Sequence, residues 1–168
     1  MNPMKDIRIE KIVLNMGVGE GGDKLVKAET VLEKIAGQKT TRTNAKKAVR
    51  EWDLKMGTPI GCKVTLRGKK AEEVLSKLLD ATERRVKKDS FDSSGNFSFG
   101  VREHIDIPGV SYDPTIGIFG LDVCVSLLRP GYRVKSRRKA PRKIPKCHKI
   151  TKDEAVEFIS SKFGVEAS

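Results

Sequence analysis

The sequence predicts an α+β domain, a mostly antiparallel sheet with helices packed on one face, plus a basic extended arm and a C-terminal helix. Three observations predict it. Runs of period-two apolar alternation recur along the chain, as half-buried strands require. Runs with apolar residues at three- and four-residue spacing lie among them, as one-sided helices require. Breaking pairs such as Pro108-Gly109 and Pro130-Gly131 fall in the gaps between runs. A chain of 168 residues suffices for one domain with its own core. Residues 1–132 are expected to form that domain, with the arm and helix of 133–168 packing on it.

The elements follow in order. Residues 7–16 read as a strand, since Ile12, Leu14 and Met16 alternate with Val13 and Asn15. After a glycine-rich loop, Asp23 is a suitable N-cap for a helix to about Ala36, with Leu25, Ala28, Leu32 and Ile35 on one face and Gly37 as its stop. Thr40–Thr43 suits a short strand, and Gly57-Thr58-Pro59 a turn. The clearest strand follows: Ile60, Cys62, Val64 and Leu66 face the core, and Lys63, Thr65 and Arg67 face away. A helix over 69–87 would bury Ala71, Val74, Leu75, Leu78, Leu79 and Val86. Residues 88–96 form a loop. Phe97, Phe99 and Val101 mark one more strand, and Leu121, Val123, Val125 and Leu127 the last. Thr151 and Glu154 carry the capping-box signature for a helix over 152–163.

Lys and Arg total 34 against 22 Asp and Glu, a formal surplus of +12. That surplus suits a polyanionic partner and says little about fold. It is uneven. Arg133, Lys135, Arg137, Arg138, Lys139, Arg142, Lys143, Lys146 and Lys149 hold nine of the twelve charges, with no acid among them. A second block, Lys39, Arg42, Lys46, Lys47 and Arg50, is also free of acids. No apolar run approaches the roughly 20 residues of a spanning helix, and the N-terminus lacks an apolar signal core. No membrane partner is expected. Three scattered cysteines, Cys62, Cys124 and Cys147, make no disulfide framework and read as intracellular. Cys147-His148 has only His104 and two distant cysteines to complete a metal site, so neither metal nor cofactor is expected.

Gly17-x-Gly19-x-x-Gly22 after a strand matches the dinucleotide-binding fingerprint, but residues 37–43 supply no acid after a second strand. A nucleotide-binding enzyme remains the alternative function. The other readings are a flexible turn, or a helix start whose amides approach RNA phosphates. His104 and Asp106 could do acid–base work. With no nucleophile placed beside them, His104 is expected to be solvated or to face RNA, and the chain is not expected to be an enzyme. The arm is read as an extended segment draped on a partner, neutralising phosphates with arginine forks and lysine charges. A disordered tail or a localisation run is the plainer reading, and the capped helix after it argues against a tail. The face of Lys63, Thr65 and Arg67, with Asn15 and Gln38 beside it, offers donors to phosphate, ribose and base edges, or is simply a solvated face. Aromatic residues are 5% of the chain, and none falls on this face, which points to folded RNA rather than stacked single strands. Trp52 either folds back on the core or stands exposed to a partner.

These residues bring a resemblance into view. Ile12–Glu20, Gly37-Gln38-Lys39, Pro59–Gly68, Ser90-Phe91-Asp92 with Gly95-Asn96, Gly100–Glu103 and Gly120-Leu121-Asp122 are similar, in order, to the universal large-subunit ribosomal protein five family, which binds 5S ribosomal RNA. The resemblance implies a cytoplasmic ribosomal protein of the central protuberance that holds 5S rRNA and touches the large-subunit rRNA. It implies 5S contacts at Asn15, Gln38, Thr65 and Arg67, with Lys63 on the same face. Further rRNA phosphates would meet Lys39, Arg42, Lys46 and Lys47, and on the arm Arg133, Lys135, Arg137, Arg138, Lys139, Arg142 and Lys143. It implies a loop about Ala48–Gly57, with Arg50, Trp52 and Lys55, near the elbow of peptidyl-site tRNA, and a bridge to a small-subunit protein. The pattern departs from bacterial members at both ends, by lacking an N-terminal helical extension and by adding the arm and capped helix. Both departures resemble archaeal or eukaryotic members, and the shortness favours archaeal ones. Glu51 and Asp53 place acids in the tRNA-facing loop.

Overall fold

A computed structural model describes residues 2–167. Met1 and Ser168, the outer limits of the two expected segments, lie outside the described residues. The elements are β1 (Arg8–Gly17), α1 (Asp23–Ala36), β2 (Thr41–Asn44), β3 (Pro59–Leu66), α2 (Lys69–Asp80), β4 (Arg85–Val86), β5 (Phe97–Val101), β6 (Leu121–Leu128), α3 (Arg133–Ser136), α4 (Lys152–Phe163) and β7 (Glu166–Ala167). Five strands form one sheet in the order β2-β3-β1-β6-β5, antiparallel at every pairing. β4 and β7 pair separately, in parallel.

The period-two pattern works as expected because only one face is covered. Ile12, Leu14 and Met16 of β1, Cys62, Val64 and Leu66 of β3, and Leu121, Val123, Val125 and Leu127 of β6 are buried with Leu25, Leu32, Leu75 and Leu78 of the helices. Ala155 and Ile159 of α4, flanked by Ile150 and Val165, join the same apolar cluster. Each buried Leu or Ile contributes about 1.5–3 kcal/mol by leaving water. The helices and sheet therefore stand or fall together, and the other face of the sheet stays open.

Three local expectations are corrected. Asp23 is not the cap of α1. Gly22 occupies that position, and the amides of Leu25 and Val26 bond its carbonyl. The second helix ends at Asp80 rather than 87. Glu83 and Arg84 take positive φ, and the chain turns so that Val86 is buried in β4 beside β7 instead of on a helix face. His104, expected to be solvated or to face RNA, is buried instead. It sits 2% exposed in a 3₁₀ turn, where its Nδ1 accepts the Phe119 amide at 3.3 Å. The segment returning from Phe119 covers it, a contact fifteen residues away that no local pattern reveals. Asp106 is exposed and makes no pair with it among the described residues.

The arm is rooted rather than loose. Arg129, 5% exposed, donates to the Lys5 carbonyl at 3.1 Å, the Lys149 carbonyl at 3.2 Å and Glu154 Oε1 at 2.7 Å. Tyr132 Oη accepts the Ile150 amide at 3.1 Å and donates to the His148 carbonyl at 3.3 Å. His148 Nε2 meets the Pro130 carbonyl at 2.8 Å. Residues 133–149 thus form a loop closed at both ends. The expected extended course is corrected at its start, where Arg133–Ser136 make one helical turn closed by Arg137 N–H to the Arg133 carbonyl.

Candidate nucleic-acid interface

Cross-strand register assembles the polar face in rows. Thr41 lies opposite Lys63, Lys63 opposite Asn15, Asn15 opposite Asp122, and Asp122 opposite Gly100. The next row is Thr65, Val13, Cys124 and Ser98. Asn15 and Val13 are half-buried and the others are exposed. Gln38 reaches this face from the α1–β2 connection, and its Nε2 donates to the Thr65 carbonyl at 3.3 Å. That connection is held on both sides. Lys70 Nζ donates to the Gly37 carbonyl at 2.6 Å, and Glu33 Oε1 accepts the Thr40 amide at 3.1 Å. Arg67 extends past the end of β3 and donates to the Glu10 carbonyl at 3.4 Å, with the Glu10 carboxylate at 3.8 Å. Its side chain remains 60% exposed, so most of its fork is available to a ligand.

Asn15, Gln38, Lys63, Thr65 and Arg67 therefore share one surface. Thr41 and Asp122 belong to it as well, and sequence reasoning missed both. Their signal was register, which fixes neighbours across strands only once the strand order is known. Near Asn15 the surface dips into a cleft of about 460 Å3 lined also by Arg102, Gly100 and Gly120. Small residues there leave room for a backbone to approach.

The second basic block divides. Lys39, Lys46 and Lys47 are exposed. Arg42 lies in the row of Cys62 and Met16, on the helix side of the sheet, and forks onto Glu29 with contacts of 2.6 and 3.0 Å. The Arg42 hydrogen bond holds the Glu29 carboxyl below its ordinary range. The loop beyond is a small hairpin closed by the amides of Val49 and Leu54 on each other's carbonyls. Arg50 and Lys55 are exposed on it, and Asp53 turns it with a left-handed φ of 49°. Trp52 is 71% exposed and Met56 75%, so the tryptophan does not fold back on the core. On the arm, Arg133, Lys135, Arg137, Arg138, Lys139, Arg142 and Lys143 are all exposed.

The glycine-rich loop does not serve a dinucleotide. That motif needs the strand after the helix to lie parallel and adjacent to the first, whereas β1 has antiparallel neighbours on both sides and β3 separates it from β2. Among the described residues, no group of three or more histidine, cysteine or acidic side chains could hold a metal. No helix among them is long and apolar enough to cross a membrane.

Comparison with known proteins decides the family. Residues 2–55 match the family model described as Ribosomal protein L5, and residues 59–158 match the companion model for the C-terminus of the same ribosomal family. The chain belongs to the ribosomal protein L5 family. It is 52% identical to the large ribosomal subunit protein uL5 of Sulfurisphaera tokodaii, covering 98% of this chain and 94% of the relative. It is 53% identical to that of Methanococcoides burtonii, covering 98% of each. For Nitrosopumilus maritimus the identity is 49%, over 98% of this chain and 95% of the relative. Members of the family are structural components of the large ribosomal subunit, not enzymes, so this chain is a ribosome-associated protein of archaeal type whose partners are that subunit and its rRNA. The nucleotide-binding enzyme is thereby retired as an alternative. The alignments to archaeal relatives take in the arm and α4, so neither is an oddity of this chain.

Proposed function

We propose that this protein anchors 5S rRNA to the large-subunit rRNA, holding 5S rRNA on the open sheet face through Asn15, Gln38, Lys63, Thr65 and Arg67. The observation that carries the reading is the convergence of these five residues, from β1, β3 and the α1–β2 connection, on the one sheet face that no helix covers. Their chemistry suits folded RNA. Lys63 and Arg67 supply charge, and Asn15, Gln38 and Thr65 supply neutral donors and acceptors for ribose hydroxyls and base edges. Lys39, Lys46, Lys47 and the arm cations neutralise phosphates of the large rRNA. Arg42 contributes there only if it leaves Glu29. The hairpin of Arg50, Trp52 and Lys55 faces peptidyl-site tRNA, with Trp52 exposed to stack, and the protein takes part in a bridge to a small-subunit protein. These last two roles rest on the family resemblance.

Binding of purified 5S rRNA across a salt series tests the reading. The log–log plot falls steeply, by nearly one unit of slope per phosphate neutralised. Arg67→Ala and Thr65→Ala each weaken 5S binding, Arg67→Ala by about tenfold or more, while Lys77→Ala on the outer surface of α2 does not. Equal affinity for an unrelated folded RNA, or silence of both face variants, rejects the site.

A further inference from the structure

The arm folds around a hollow that the sheet face does not explain. The cavity measures about 630 Å3, and its walls include Tyr132, Pro141 and Ile144. Lys135, Arg142, Lys143, Lys146 and Lys149 stand around it. None of these five cations forms an ion pair among the described residues. Ser94, from the turn before β5, closes one side and is the only lining residue outside the stretch 132–149 among those described. The cavity is therefore built almost entirely by the arm itself, with one residue of the body on its edge.

We propose that this cavity receives a single unstacked nucleotide of an RNA, base inward against Tyr132, Pro141 and Ile144, with the flanking phosphates on the lysine and arginine rim. The inference deepens the reading of the arm as an rRNA-binding element and rests on it. A hollow of this size is ample for one nucleoside. Its two-part chemistry matches a nucleotide outside a helix, a flat, weakly polar base joined to an anionic backbone. Regular duplex would place phosphates on the rim and leave the walls empty. Lone phosphate would do the same. The Lys135 ammonium lies 5.8 Å from the Tyr132 ring centroid, so the aromatic wall and a phosphate-binding charge are already side by side.

The full-length protein is titrated with an RNA hairpin carrying one bulged 2-aminopurine, and with the same hairpin fully paired. The bulged hairpin binds about tenfold tighter at equal salt, with a change in 2-aminopurine fluorescence. Ile144→Trp fills the hollow and removes that preference without weakening binding of the paired hairpin. Pro141→Trp, which fills it from a second wall position, does the same and guards against one variant folding poorly. Lys143→Ala with Lys146→Ala weakens both hairpins together. Equal affinity for the two hairpins, or a preference that survives both tryptophan variants, overturns the nucleotide cavity while leaving the arm as an RNA contact. Indifference of both hairpins to the double lysine variant overturns the arm reading itself.

Discussion

Single residues carry much of what distinguishes this molecule, and its cysteines report on them. Burial, with the charges of Glu29 and Glu33, pushes the Cys62 thiol up to about 11. Cys124 is exposed in the middle of the open sheet face, and Cys147 is exposed at the end of the arm. An alkylating reagent at neutral pH should therefore modify Cys124 and Cys147 in the native protein and leave Cys62 intact, because only a thiolate attacks. Bound 5S rRNA should protect Cys124. Mass spectrometry of the alkylated protein with and without RNA distinguishes the faces, and unchanged Cys124 labelling in the complex removes the sheet face from the site. His104 and Arg129 teach a different lesson at this scale. His104 is expected from the sequence to be solvated or RNA-facing, and no local pattern marks Arg129 for the interior, yet both are buried by partners far along the chain: Phe119 for one, Lys5, Lys149 and Glu154 for the other.

At the scale of elements, the sequence was most legible where structure depends on near neighbours. The β3 alternation from Cys62 to Leu66, the α1 stop at Gly37 and the Thr151–Glu154 capping box all appear as read, whereas Ile60 at the start of β3 is only half-buried and lies outside the core. The end of α2 was not legible, because Glu83 and Arg84 favour helix by propensity and adopt left-handed backbone only to deliver β4 to its partner strand. Arg42 was legible as a cation but not as the mate of Glu29, since which face of an edge strand it occupies depends on register. The attachment of α4 depends on a site no pattern announced. Asp92 accepts the amides of Ser94 and Asn96, and the turn brings Gly95 beneath Ile150 and Ala155. A Cβ at Gly95, whose φ is 76°, would lie 2.6 Å from Ile150 Cγ2. Gly95→Ala should destabilise by about 1–3 kcal/mol through overpacking and roughly 1 kcal/mol more through its backbone. Chemical denaturation would measure it, and a neutral result would refute the packing. The junction should also respond to acid. The Thr151 amide first, and then Arg129, hold the Glu154 carboxyl below its ordinary range. A lowered folded value means stabilisation that is complete above the ordinary glutamate range and lost as pH falls through the lowered value. Hydrogen exchange at the start of α4 should accelerate in that acid window, and Glu154→Gln should flatten the response.

For the whole molecule, the proposed function turns the division of charge into a division of labour. Nine surplus charges sit on the closed arm, whereas the sheet face mixes Lys63 and Arg67 with Asp122 and neutral amides. The arm would supply most of the salt-dependent affinity, and the face the choice of RNA. The fold class and the composition of the face were visible because each follows from alternation along one strand. Thr41, Asp122 and the arm cavity were not, because each needs strands or segments brought together from distant parts of the chain. We propose that the described residues 2–132 and 133–167 form one folding unit, on the strength of the shared apolar cluster and the Arg129 contacts. The latch of Tyr132, His148 and Ile150 gives that view a measurable consequence. A strand fastened at both ends has no loose end from which to be peeled, and cutting it once does not free either piece. If trypsin nicks the exposed stretch near Lys139, the two fragments should co-elute under native conditions, melt in a single transition, and part only in denaturant. Fragments that separate without denaturant would mean that the C-terminal segment of this chain is a passenger on the rest.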